Sequence, residues 1–428
     1  MKRTGRGLRI GRQLDSGGAG GAIHAVEGDP RSVAKLLKRT GPQQEQRLRA
    51  MLALGLPAQV PHAQAAIAWP TDLVFDEAGK VCGFVMPAAA GPQPVRLYRL
   101  INPVERELLV KNLSWRQLVW IGHNVAAAYA HLHGRGVIVN DVNESNAMVG
   151  GGGFVTVLDA DSMQFTDARG RVWLSGYRKA EYLAPELDGV DLRRFQRAAV
   201  HDDYAYAVLL FSLLMNGFGP FDGVPTGSGE LDHHTRARDG RFPFAGRDAG
   251  LRPPPGAPSW DVLTPNLQDR FERTFTAGTD GSRRTTALEW QQELRVAVGE
   301  LCLCAANLHY YPRVRGVCPW CRQAGIPTGP GQSRRADRAA GSPAGGPLRR
   351  TAVAAVALAP ARRPLARSLA LVVIATLLAI MAIAVLVATS HRDDPTIGAA
   401  RTTERAPTLP LAPAAAQAAT TRNGDHDA

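Results

Sequence analysis

The sequence predicts an α+β protein with extra, non-globular length at its C-terminal end. Three observations lead there. Residues 8–87 alternate short apolar runs with glycine-containing turns, the pattern of strands, around one helical segment. From 114 to 298, apolar residues recur at helical spacing. Beyond 300 come a Cys/His cluster, a stretch of Gly, Pro, Ala and Arg, and an uninterrupted apolar run at 368–390. The 428 residues leave room for two to three domains. A formal charge of +12 permits nucleic acid or anionic lipid as partner. Many of the arginines, however, sit in low-complexity sequence, so the charge reads as linker and membrane topology, and no nucleic-acid partner is expected. Four of the five cysteines lie within 302–321 and Cys82 stands alone, which favours a metal site in a reducing compartment over a disulfide framework. Residues 1–12 are basic with no apolar run behind them, so no signal peptide is expected.

Taken in order, 8–26 reads as two strands around the turn Ser16-Gly17-Gly18-Ala19-Gly20-Gly21, with Ile23 on the second strand. The next strand, 32–37, carries Lys35 in an otherwise apolar setting. A glycine-rich hairpin followed by such a lysine can cradle phosphates, because missing side chains let the backbone approach and the ammonium pairs with the oxygens. A plain turn with a strand-edge lysine fits the same residues, and Ser16 at the first glycine position leaves the register open by one. Residues 43–54 read as a helix with Leu48, Met51 and Leu52 on one face and a stop at Gly55. Glu45 is its only acid: either the partner of Lys35 or a solvated first-turn acid. A hairpin at 73–87 runs into Met86-Pro87-Ala88. Residues 114–133 form a helix opened by the capping box Ser114-x-x-Gln117, with Leu118, Ile121, Val125, Tyr129 and Leu132 facing inward. An apolar helix from Asp202 to Met215 and further helix over 259–298 follow; 218–258, rich in Gly and Pro, reads as a long irregular insert.

The stretch 137–161 organises all of this. It holds Asp141, then Asn146 five residues on, a glycine turn, a short apolar run and Asp159. Phosphoryl transfer from ATP needs this spacing: one acid accepts the proton of the attacking hydroxyl, while an amide and a second acid hold Mg²⁺ against the phosphates. Taken alone, two acidic turns flanking a strand would look the same.

With these motifs in order, residues 8–298 resemble a eukaryotic-type Ser/Thr protein kinase, with a small N-lobe and a helical C-lobe. The resemblance is to a divergent bacterial branch that carries a Cys/His module after the kinase. It implies that Gly18 and Gly21, with Gly17, Gly20 and Ile23 beside them, form the phosphate loop, that Lys35 pairs with the phosphates, and that Met86 falls near the gatekeeper, with Pro87–Ala89, Ala88 included, as the hinge that meets adenine. It makes Asp141 the catalytic acid–base residue and Asn146 and Asp159 the Mg²⁺ ligands. Glu186 would close the activation segment on Arg284, and Asp202 would be the buried acid of the central helix. Three positions depart from the common pattern. Val139-Asn140 replaces His-Arg, Ala160-Asp161 replaces Phe-Gly, and Asn143 stands where a lysine is usual. Because Asn140 cannot clamp a phosphate, phosphorylation within 162–182, at Thr166 or Ser175 for example, is not expected to be required.

Behind the kinase, Cys304, His309, Cys318 and Cys321 offer a tetrahedral Zn²⁺ set, with Cys302 an alternative to His309. The expected organisation is a kinase-like domain at 1–300, a zinc module at 301–325, a disordered linker at 326–367, a transmembrane helix at 368–390 and a disordered tail at 391–428. Arginines before the span and Asp393 and Asp394 after it put the kinase in the cytoplasm and the tail outside. The functional expectation is a membrane-anchored Ser/Thr protein kinase with ATP, Mg²⁺ and structural Zn²⁺, acting on protein substrates. The alternatives are a pseudokinase that serves as an ATP-binding scaffold, favoured by Asn140 and Ala160-Asp161, and a small-molecule phosphotransferase.

Overall fold

A computed structural model describes residues 2–3 and 6–326, apart from 17–19, 92, 228–230 and 247–248. The expected linker beyond Ile326, the apolar run 368–390 and the tail 391–428 lie outside the described residues. Among the described residues, no helix is long and apolar enough to cross a membrane.

The N-terminal part is one antiparallel sheet of seven strands, β1 (Lys2–Arg3), β2 (Arg6–Gly7), β3 (Ile10–Asp15), β4 (Gly21–Val26), β5 (Ser32–Leu37), β7 (Asp72–Phe75) and β8 (Val81–Pro87), in the order β2-β1-β7-β8-β5-β4-β3. Gly21 opens β4 where a Cβ would lie 2.3 Å from the Leu36 carbonyl oxygen, so strand packing by itself demands a glycine here. Helix α1 (Pro42–Leu54) starts with proline in its first turn and ends on Gly55 in the left-handed conformation, φ 59°. It lays Leu48 and Met51 into the core and buries Arg47 between them and the segment after Asp159.

A second sheet joins the two halves: β6 (Ala65–Ile67) runs parallel to β11 (Val155–Val157), which pairs with β10 (Ala147–Val149), and β10 with β9 (Val95–Arg96). After two short helices, α2 (Leu97–Ile101) and α3 (Pro103–Leu109), comes α4 (Trp115–His133), whose N-cap Ser114 forms the full capping box with Gln117. All five residues expected on its apolar face are buried. The small hairpin β12 (Phe165–Thr166) and β13 (Val172–Trp173) follows the turn at Asp159. Helix α5 (Ala199–Leu214) is apolar nearly all round, as a helix enclosed on every side must be.

The region 218–258 is less irregular than its composition implies. It holds α6 (His233–Arg238) and a strand pair, β14 (Val224–Pro225) with β15 (Leu251–Arg252). It also sends Phe242 and Phe244 onto Phe211 of α5, with ring centroids 5.7 and 5.0 Å away. Phe271 and Phe275 of α7 (Pro265–Phe275) complete the cluster, so the insert contributes core that a Gly/Pro count conceals. Helix α8 (Ala287–Glu300) packs along α4. The last elements of the described residues are β16 (Leu301–Leu303), β17 (Tyr310–Pro312) and α9 (Pro319–Gln323).

Candidate active site

Lys35 sits mid-sheet, between Ile23 of β4 and Phe84 of β8. Only 3% exposed, it points its ammonium into the cleft between the sheet and the helical part. The Nζ donates to Asp161 Oδ1 at 2.7 Å and to Asp159 Oδ1 at 3.0 Å. Burial by itself pushes an ammonium pKa down, but the two carboxylates outweigh it and hold Lys35 cationic with a raised pKa. The acids differ in exposure: the Asp159 side chain is 44% exposed toward the cleft, and that of Asp161 only 12%. Gly20 is close by, where a Cβ would lie 3.3 Å from the Lys35 Nζ. Gly17 and Gly18 fall outside the described residues.

Glu45 does not meet Lys35, which corrects the pairing read from the sequence. It sits on the outer side of α1 and pairs with Arg49, one turn on, at 2.7 Å. The helix turns the other way because Leu48 and Met51 must be buried, and Arg47 shares that inner side. The Arg47 guanidinium donates to the carbonyls of Asp161 (3.1 Å), Leu174 (3.2 Å) and Met163, and lies over the Phe165 ring.

The loop bearing Asp141 is held from α5. Asp202 accepts the backbone N–H groups of Val139 and Asn140 at 2.6 and 2.9 Å and the Nε2 of His133 at 3.0 Å. Asn140 can then take a left-handed φ of 67°, which Asn tolerates better than most residues. The Asp141 carboxylate accepts from Asn146 Nδ2 at 3.0 Å and from Asn143 Nδ2 at 3.1 Å. Burial raises its pKa above the ordinary carboxylate range, and the two amides, which favour the charged form, recover only part of that rise. With its nitrogen spent on Asp141, Asn146 offers its oxygen as the ligand atom. Asp141, Asn146 and Asp159 line one cleft with Lys35, Ile23 and Met86. Such oxygens are hard donors that suit Mg²⁺. Ala88 also lines the cleft, but its N–H is committed to the Arg31 carbonyl at 2.8 Å, leaving its carbonyl to meet a ligand.

Three residues to which the sequence reading gave no role in the site shape it: Arg47 and Arg197, which it did not single out, and Asp161, which it noted only as a departure from the common pattern. Buried Arg197 donates to the carbonyls of Asn140, Ser175 and Tyr177, each at 2.9 Å, tying residues 175–177 to the Asp141 loop. A signal for Arg47 exists, since it stands one helical turn before Met51 on an apolar face. Arg284 grips Glu186 through two parallel bonds of 2.6 and 2.7 Å.

Away from the cleft, the ligand atoms of Cys304, His309, Cys318 and Cys321 all lie within 4.8 Å of one another. Sulfurs 2.3 Å from a tetrahedral zinc would be about 3.8 Å apart; Cys304 and Cys321 are 3.6 Å apart. The donor set and its spacing therefore fit zinc. Between Cys302 and His309, the geometry selects His309, whose Nδ1 is 3.6 Å from the Cys321 sulfur. Cys302 instead turns its thiol to the Tyr311 carbonyl.

Compared with known proteins, the chain is 31% identical over 324 residues to the protein kinase YegI of Escherichia coli, both in strain O157:H7 and in strain K12. The match covers 74% of this chain and 49% of the relative, so the chain spans about half the length of the curated relatives it matches. No protein-family model matches it.

Proposed function

We propose that this chain is a protein kinase that transfers the γ-phosphate of ATP to serine or threonine hydroxyls of other proteins. The observation that carries the reading is the convergence of Lys35, Asp141, Asn146 and Asp159 on one cleft. The same cleft runs on to residues 171–177, beside which an acceptor chain would lie next to a nucleotide. Asp141 accepts the proton of the acceptor hydroxyl, and its raised pKa makes it the stronger base. Lys35, kept cationic, pairs with phosphate oxygens. Asn146 and Asp159 would hold Mg²⁺, which when bound would supply charge neutralisation at the phosphates. The Glu186–Arg284 clasp braces the segment against which a protein acceptor would lie, and similarity to a protein kinase supports the same reading.

The test uses the purified full chain with radiolabelled ATP, Mg²⁺ and a generic acceptor protein. Wild type should label serine or threonine, and Asp141→Asn should lose on the order of a hundredfold or more. Equal labelling by both proteins refutes transfer through Asp141. A second reading, an ATP-binding scaffold, is favoured by the grip of both Asp159 and Asp161 on Lys35. ATP binding with no transfer by wild type would select it.

Two further parts belong to the same proposal. Cys304, His309, Cys318 and Cys321 hold one structural zinc, a closed four-ligand set. The run 368–390 is a single-pass anchor that leaves the kinase in the cytoplasm and the tail outside, given the arginines before it. A reporter active only outside the cytoplasm, fused after Ala428, should be active; a silent reporter beside an active cytoplasmic one at the same position rejects the orientation.

A further inference from the structure

We propose that Asp161, and not a carboxylate from helix α1, is the residue that positions Lys35, and that Arg47 of α1 instead locks the helix to the activation segment. The inference rests on the kinase reading of the cleft and concerns how that site is kept in working order.

The exposures of the two acids divide their tasks. Asp159 faces the cleft and is placed to serve a metal, while Asp161 is nearly enclosed and makes the shorter bond to Lys35. Were Asp159 the only partner, the ammonium would compete with the metal for the same carboxylate. With Asp161 present, Lys35 keeps a counter-charge while Asp159 turns to its ligand. Backbone placement supports the division: Asp159 takes a left-handed φ of 52°, and Ser162 caps its carbonyl with both N–H and hydroxyl, at 2.9 and 2.7 Å. The tight turn brings both carboxylates of the Asp-Ala-Asp run onto one ammonium.

Helix α1 has no equivalent acid to offer. Glu45 and Arg47 are two residues apart, about 200° around a helix. Turning Glu45 inward would carry Arg47 out of its three carbonyl bonds and Leu48 and Met51, both fully buried, toward solvent. Arg47 faces the site by the same rotation, and a cation there cannot pair with Lys35. Its planar guanidinium reaches the carbonyls of Asp161, Met163 and Leu174 together, a three-way grip that a lysine could not reproduce. The lysine anchor and the activation segment thus share one joint, built on Asp161.

The experiment measures Mg·ATP binding with a fluorescent ATP analogue, and kcat and KM for ATP over a range of Mg²⁺ concentrations, on the full chain and three variants. Asp161→Asn should lower kcat/KM by on the order of a hundredfold, the cost of a misplaced charged group. It should also raise the Mg²⁺ concentration for half-maximal rate, because Lys35 then falls back on Asp159; a merely structural role would not move that requirement. Glu45→Gln should lose far less than Asp161→Asn. Arg47→Ala should speed hydrogen exchange across 162–177 without abolishing nucleotide binding. Glu45→Gln changes an outward-facing side chain and keeps the proposal falsifiable even where Asp161→Asn fails to fold. A loss of tenfold or more there, with folding intact, overturns the proposal, as does wild-type behaviour of Asp161→Asn. If wild type itself neither binds Mg·ATP nor transfers phosphate, the kinase reading falls instead, which separates the two failures.

Discussion

At the scale of single residues, the acid–base role proposed for Asp141 turns on opposing influences on its carboxylate. Burial disfavours its charged form, while the amides of Asn146 and Asn143 favour it, and burial wins. A base must be ionised to act, so activity falls as pH drops through its raised pKa. Removing a donor to the carboxylate raises that pKa further. Asn143→Ala should therefore move the acid limb of the kcat/KM profile upward while transfer persists. A limb that stays in place or moves down would show that Asn143 does not stabilise the carboxylate. Lys35 shows the opposite balance, since two carboxylates on one ammonium overcome its burial.

At the scale of elements, the Cys/His module is not a loose appendage. The Trp320 ring of α9 meets Trp115 of α4 edge-on, with centroids 6.2 Å apart. Arg315 pairs with Asp261 at 3.3 Å, Arg322 pairs with the same carboxylate, and Gln323 bonds the Ala257 carbonyl at 2.7 Å. A zinc that organises this module therefore also supports the start of α4 and the approach to α7. Metal analysis of the full chain should find about one zinc, lost in Cys318→Ser. Calorimetry of that variant should show the main unfolding transition shifted downward by several degrees, not a small separate transition, because folding and metal binding are linked. An unmoved main transition would mean the docking contributes nothing to the lobes.

At the scale of the whole molecule, the segment after Asp159 lines the cleft with residues 171–177 and is tied down without phosphate. Arg47 holds it from α1 at Met163 and Leu174, and Arg197 holds it at Ser175 and Tyr177. Both arginines are buried and grip backbone carbonyls, so the order-inducing role that a phosphate plays elsewhere is already filled. Ser175 is itself buried, which removes it as an accessible acceptor; Thr166 is exposed. Phosphatase-treated enzyme and Thr166→Ala should keep kcat within about threefold of untreated wild type. A tenfold loss with ATP binding intact would make the segment a phospho-switch.

Much of this was legible in the sequence because the signals are local. The Ser114 capping box, the apolar face Leu118 to Leu132, the strand around Lys35 and the glycine stop at Gly55 each depend on residues a turn or two apart, and they are present as expected. The spacing from Asp141 to Asn146 likewise fixes which side chains one loop can present together. Other features were invisible for a physical reason: they depend on the rotation of one element against another. Which face of α1 meets the sheet is set by burying Leu48 and Met51, and that choice sends Glu45 to Arg49 and Arg47 to the activation segment. The turn joining Cys304 to His309, closed by the Cys304 N–H on the His309 carbonyl at 2.6 Å, selects His309 over Cys302. Phe242 and Phe244 enter the core only because 218–258 folds back over α5. Sequence by itself determined which chemical groups are present and in what order; the packing of apolar faces, which costs too much to undo, decided which of them meet.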